Sequence, residues 1–187
     1  MKHRIQIPFL TLLVVAVTGL TMSACDSTKP DEGDGAGEQE LITRVVISFS
    51  EGSNTITATA NDPDGDGTNF DLGTIILESG KTYSGSISVY DDINGDDVGA
   101  EIEKESDVHQ FFFTPGGGAA GRLTLTPVDE DVNQLPVGLE FSADVSDGGP
   151  TTGTLRVILS HFDSDVKDGT TLSNDTDIDI TYPVEIQ

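Results

Sequence analysis

Apolar residues at every second position, in one short stretch after another, constrain this chain more than any other feature. In "RVVISF" Val45, Ile47 and Phe49 share a face; in "NTITATA" Ile56, Ala58 and Ala60 do so, opposite Thr55, Thr57 and Thr59. "TYSGSISVY" sets Tyr83, Ile87 and Val89 against Ser84, Ser86 and Ser88, and "GLEFSADV" sets Leu139, Phe141, Ala143 and Val145 against Glu140, Ser142 and Asp144. The closing run has Ile178, Ile180, Tyr182, Val184 and Ile186 opposite Asp177, Asp179, Thr181, Pro183 and Glu185. Successive side chains of a strand point to opposite faces, so the pattern predicts strands with one dry and one wet face.

"LGTIILE", "HQFFFT", "RLTLTPV" and "TGTLRVILSHF" raise the expected number to about nine strands. Turn-rich pieces such as "EGSN", "NDPDGDG", "TPGGGAAG" and "SDGGP" separate them. Strands that each bury one face close a core by packing sheet on sheet. The expected fold is therefore all-β, a single immunoglobulin-like antiparallel β-sandwich, with a small closed barrel as the competing arrangement. Residues 97–107, "DVGAEIEKESD", predict one short crossover helix. Pro183 has no amide to donate and is expected on an edge strand. The glycines of "TPGGGAAGR", lying between two strands, are expected to make a hairpin rather than cradle a phosphate. Residues 41–187 suffice for one domain with its own core.

Residues 1–24 read as an address. Lys2 and Arg4 precede an apolar run from Ile5 to Leu20, long enough for a signal peptide and wrongly flanked for a spanning helix. The run ends in Met22-Ser23-Ala24-Cys25, which resembles a bacterial lipobox around the only cysteine of the chain. Cys25 is the expected lipidation site, and several acyl chains on it would anchor the protein to the outer membrane, facing the periplasm or the cell surface. Residues 25–40, polar, Gly-rich and acidic after the cysteine, read as a flexible tether.

Loss of the leader removes Lys2 and Arg4 but no acid, which takes the formal charge from −24 to −26. That sign excludes nucleic acid and anionic membrane surfaces as partners. Cation binding and adaptation to saline surroundings both account for it. "DPDGDG" places Asp62, Asp64 and Asp66 at alternate positions before a glycine, the opening of a calcium loop. The twelfth position, where an EF-hand supplies a bidentate Glu, is Gly73, so a plain hairpin turn competes with non-EF-hand calcium binding. "DDINGDD" and "DSDVKDG" are poorer copies, the second interrupted by Lys167.

Two histidines follow the leader. His109 opens one strand beside Phe111 and Phe113, and His161 closes another beside Leu155, Val157 and Leu159. Antiparallel neighbours would bring both rings to one end of the sandwich, facing inward. Glu105, Asp107 and Asp163 lie close by in sequence, and two imidazoles with one or two carboxylates suit Zn²⁺ or Cu²⁺. The competing reading is two packed histidines at the rim of the core. The chain has no G-x-S-x-G elbow, no H-E-x-x-H pair and no free cysteine, so it is not expected to be an enzyme.

"ITRVVISFS" after an acidic tether, "TATANDPDGDG", "HQFFF", "LPVGLEF", "GTLRVILSHF" and "TDIDITYPVEIQ" together resemble a family of short Bacteroidota lipoproteins that carry the label "type 1 periplasmic binding fold superfamily protein". The fold in that label has two α/β lobes, which the strand pattern does not predict. The resemblance implies company with outer-membrane TonB-dependent receptors, and both histidine positions match the family pattern. The expected function is a lipid-anchored cell-envelope accessory or binding protein beside such a receptor, holding a transition metal. The alternative is a calcium-stabilised adhesion or small-solute-binding module, for which an absence of Trp and only three Tyr make a poor sugar grip.

Overall fold

Each alternating stretch is a strand in the structure, a computed structural model that describes residues 41–187. The leader, Cys25 and the tether lie outside the described residues. In chain order the elements are β1 (Arg44–Glu51), β2 (Asn54–Asn61), β3 (Asp71–Leu72), β4 (Ile75–Leu77), β5 (Thr82–Tyr90), α1 (Val98–Lys104), β6 (His109–Gly117), β7 (Leu123–Pro127), β8 (Glu140–Val145), β9 (Thr151–His161) and β10 (Asp175–Ile186). They form two sheets, ordered β3-β2-β1-β5-β8-β7 and β4-β10-β9-β6, and the protein is an all-β sandwich. The crossover helix is present as α1, connecting β5 of the first sheet to β6 of the second.

"LGTIILE" is two strands instead of one. The chain leaves the first sheet at Gly73, whose amide donates to the Thr59 carbonyl (2.7 Å), and joins the second as β4. There β4 runs parallel to β10, the one parallel pair among the described residues.

The inner faces meet in a core built from the alternating residues. Phe49 takes Tyr83 and Phe141 edge-on, with centroids 6.2 and 5.5 Å away. Phe141 fills the space over Gly85 on the neighbouring strand, so a Cβ at Gly85 would strike its ring. Tyr182, fully buried in β10, donates its hydroxyl to the Val45 carbonyl of the opposite sheet (3.2 Å), which satisfies a polar atom that burial would otherwise penalise.

Two expectations need correction. "TPGGGAAG" is not a hairpin: β6 runs on through Pro115 to Gly117 beside β9, and the chain then crosses to the first sheet, where β7 pairs with β8. The strand partner crowds this segment, since a Cβ on Gly118 would strike Thr151 Oγ1 and the Thr152 carbonyl, and one on the facing Gly153 would strike Ala119 N and the Gly116 carbonyl. Pro183 lies on an inner strand, because β10 sits between β4 and β9. Pairing with β4 begins only at Val184, so Pro183 lies beyond the end of that ladder.

The true edges are short or blunted. β3 and β4 have two and three residues, and the other two edges carry Pro127 in β7 and Pro115 in β6. The Phe111 amide on β6 is already taken by the Val137 carbonyl (2.6 Å). An incoming strand finds no long unpaired ladder.

The packing of Phe141 over Gly85 predicts two costs measurable by urea unfolding. Phe141→Ala should lose ~3–5 kcal/mol by leaving a cavity, and Gly85→Ala ~1–3 kcal/mol by overpacking. An unchanged midpoint for Gly85→Ala would place the ring elsewhere.

Candidate metal centre

β6 and β9 are antiparallel neighbours, and their register pairs His109 directly with His161. Both side chains point inward, with exposures of 0 % and 3 %, and the rings stack with centroids 4.4 Å apart and planes tilted by 24°. The two histidines therefore meet as the sequence predicts.

A carboxylate that alternation assigns to the wet face joins them. Asp175 and Thr176 of β10 pair with His161 and Ser160, but the next partner of Leu159 is Ile178, which leaves Asp177 as the extra residue of a β-bulge. A bulge re-aims the side chain it contains. The Asp177 carboxylate has no solvent exposure and reaches a nitrogen of each ring, with Oδ2 3.7 Å from His109 Nε2 and Oδ1 3.7 Å from His161 Nδ1. Donor atoms of His109, His161 and Asp177 lie within 4.8 Å of one another.

Each ring also reaches outward. His109 Nδ1 lies 3.1 Å from the Glu105 carbonyl at the end of α1. A carbonyl only accepts, so Nδ1 carries the proton and Nε2 keeps its lone pair. His109 Nε2 is buried with no hydrogen-bond partner. On the other ring, Asp163 Oδ1 stands 3.1 Å from His161 Nε2, off the line of a hydrogen bond. Asp163 and Asp175 also bring donor atoms within 4.8 Å of His161, on the exposed side of the cluster.

Of the residues predicted from sequence, His109 meets His161, and Asp163 reaches His161. Glu105 contributes its backbone carbonyl, and neither its carboxylate nor the exposed Asp107 belongs to the converging groups. Asp62, Asp64 and Asp66 form a separate cluster.

Neighbouring polar contacts hold this end of the sandwich. Lys167, set among acids in "DSDVKDG", pairs instead with buried Asp131 (2.8 Å) and donates to the Ser106 carbonyl (2.7 Å), tying the segment after β9 to the start of β6. Burial would push the Asp131 carboxyl up, but the Lys167 ammonium and the Leu135 and Asn133 amides hold it below its ordinary value. Gln110 adds a bond from Nε2 to the Gly169 carbonyl (3.0 Å).

Two imidazoles and a carboxylate form a donor set for Zn²⁺ or Cu²⁺. The stacking matters, because imidazole lone pairs lie in the ring planes and planes only 24° apart do not meet at bonding distance. One ring must turn about its Cβ–Cγ bond before both nitrogens can share an ion. Elsewhere, a groove of about 600 Å³ between β5 and α1 has Tyr90 as the one aromatic residue in its lining. Among the described residues no helix is long and apolar enough to cross a membrane. No family model matches the chain, and neither curated proteins nor solved structures show a match.

Burial lowers the His109 ring from its ordinary value of 6.5, with the facing His161 ring acting in the same direction and the Glu105 carbonyl against it. Such a group binds its proton better unfolded than folded. Its contribution to stability is complete above ~6.5 and is lost as pH falls toward the lowered folded value. In chelator-treated protein the thermal midpoint should fall as pH drops from about 7.5 to 5.5, and NMR should place the His109 ring titration below 6.5. A titration at or above 6.5 would contradict a neutral buried ring.

Proposed function

We propose that this protein is a lipid-anchored metal-binding module of the cell envelope, in which His109, His161 and Asp177 hold one Zn²⁺ or Cu²⁺. The observation that carries the reading is the state of His109. Its Nδ1 is engaged by a carbonyl, while Nε2 is buried, has no hydrogen-bond partner and is aimed at a carboxylate beside a second imidazole. Fixing one ring nitrogen by a backbone carbonyl so that the other presents its lone pair is how proteins prepare histidine for a metal. Asp163, within reach of His161 Nε2, would play the same part for the second ring.

The site favours holding an ion over using it. His109, His161 and the Asp177 carboxylate are at most 3 % exposed, and an ion enclosed among them would be shielded from any substrate. We assign the chain a binding role and no reaction. Anchorage through Cys25 and company with an outer-membrane TonB-dependent receptor rest on the lipobox and the family resemblance.

Calorimetric titration with Zn²⁺ and Cu²⁺ should show one ion per chain, with affinity falling as the pH drops into the range, below 6.5, where the His109 imidazole protonates. His161→Ala should weaken binding at least ~10-fold; equal binding by variant and wild type would leave the pair without a role in metal binding. Cys25→Ser should leave the membrane fraction, and tight retention there would remove the anchor.

A further inference from the structure

The loop between β2 and β3 carries a cluster of three acids, separate from the imidazoles. Asp62 follows the last residue of β2, and its amide donates to the Thr43 carbonyl (2.7 Å), which turns the side chain inward to 1 % exposure. One carboxylate oxygen, Oδ2, accepts the Gly67 amide (2.7 Å). The other, Oδ1, is buried and has no hydrogen-bond partner. Asp64 and Asp66, both exposed, bring carboxylate oxygens within 4.8 Å of Asp62 and of each other.

The other inward-turned acids of the loops show what a purely structural aspartate looks like here. Asp91 accepts the amides of Ile93 and Asn94 on Oδ1 and the Asn94 side chain on Oδ2. Asp131 takes the Asn133 and Leu135 amides on one oxygen and the Lys167 ammonium on the other. Asp129 divides the Gly138 and Leu139 amides between its two oxygens. In each, both oxygens are engaged by the fold. Asp62 has one left over, and no Lys or Arg ion pair among the described residues involves Asp62, Asp64 or Asp66.

A buried carboxylate oxygen without a donor is costly, and two further carboxylates directed at it raise the cost. A hard divalent cation removes both penalties. We propose that Asp62, Asp64 and Asp66 bind Ca²⁺, with Asp62 Oδ1 as the inner ligand and water completing the open side. Ca²⁺ takes six to eight oxygens in adaptable geometry, which suits three carboxylates on a loop, whereas Mg²⁺ demands a near-ideal octahedron. The bound ion pins the loop to the rim of the first sheet, where Gly65 packs toward Leu41, Thr43 and Ile93. With three protein carboxylates and an open face, the affinity belongs in the range of extracellular modules, ~10⁻⁴–10⁻³ M.

The test is calorimetric titration of Ca²⁺ alone into chelator-treated protein at physiological salt. Wild type should show one saturable site and a thermal midpoint that rises with Ca²⁺. Asp62→Asn should weaken the site at least tenfold; because Asp62 is buried, Asp64→Ala serves as the surface variant that leaves the fold intact, and it should weaken binding similarly. His161→Ala should bind Ca²⁺ as wild type does. Diffuse, unsaturable binding up to ~10 mM, or equal affinity in Asp64→Ala and wild type, would overturn the proposal.

Discussion

Register along β9 is the constraint on which the rest of the second sheet depends. This strand lies between β6 and β10, and its side chains meet both partners at once. On one flank an unbroken antiparallel ladder carries His109 opposite His161. On the other the ladder slips by a residue near the same end, and the slip is what sends Asp177 inward. A shift of one residue on the first flank would turn every β6 side chain to the opposite face and separate the rings, so the hydrophobic pattern that places Phe111 in the core also holds the histidines together.

Polar groups at the ends of the strands are treated in two ways. Asp91, Asp129 and Asp131 are absorbed by amides or by Lys167, and they serve the loops that carry them. His109 and Asp62 keep a buried atom that the fold does not satisfy. Most buried polar atoms of folded proteins have partners, so an unpartnered one beside other ligating groups is a stronger ground for proposing a ligand than acid content is. In a chain of formal charge −24, acid content alone says little. His109 Nε2 and Asp62 Oδ1 share the unpartnered state with Gln110 Oε1, Ser160 Oγ and His161 Nε2, but each of the two stands beside further ligating groups, and they differ in chemistry: imidazole nitrogen suits a borderline transition ion, and an all-oxygen cluster suits a hard one.

Much of the architecture was legible because a sandwich strand writes its face assignment into the chain at a period of two. β5 can be read residue for residue, and β1, β2 and β10 nearly so. Legibility failed where the chain changed sheets. The split at Gly73 and the passage from β6 to β7 look in sequence like a continuous strand and a hairpin, since local composition records a turn but not the sheet to which the next strand belongs. Pro183 misled for a related reason: its neighbour β4 is too short to reach it.

By itself the sequence determined the all-β class, the inward parity of His109 and His161 and the acidic loop at Asp62, because each depends on local alternation or spacing. Tertiary structure alone decided the third member of the imidazole cluster. Alternation put Asp177 in water with Asp179, and only the mismatch between β9 and β10 reversed it, a non-local event that no stretch of β10 encodes in isolation. It likewise decided that Asp62 Oδ1 is buried without a donor, since that depends on the distant Thr43 carbonyl drawing the end of β2 onto β1.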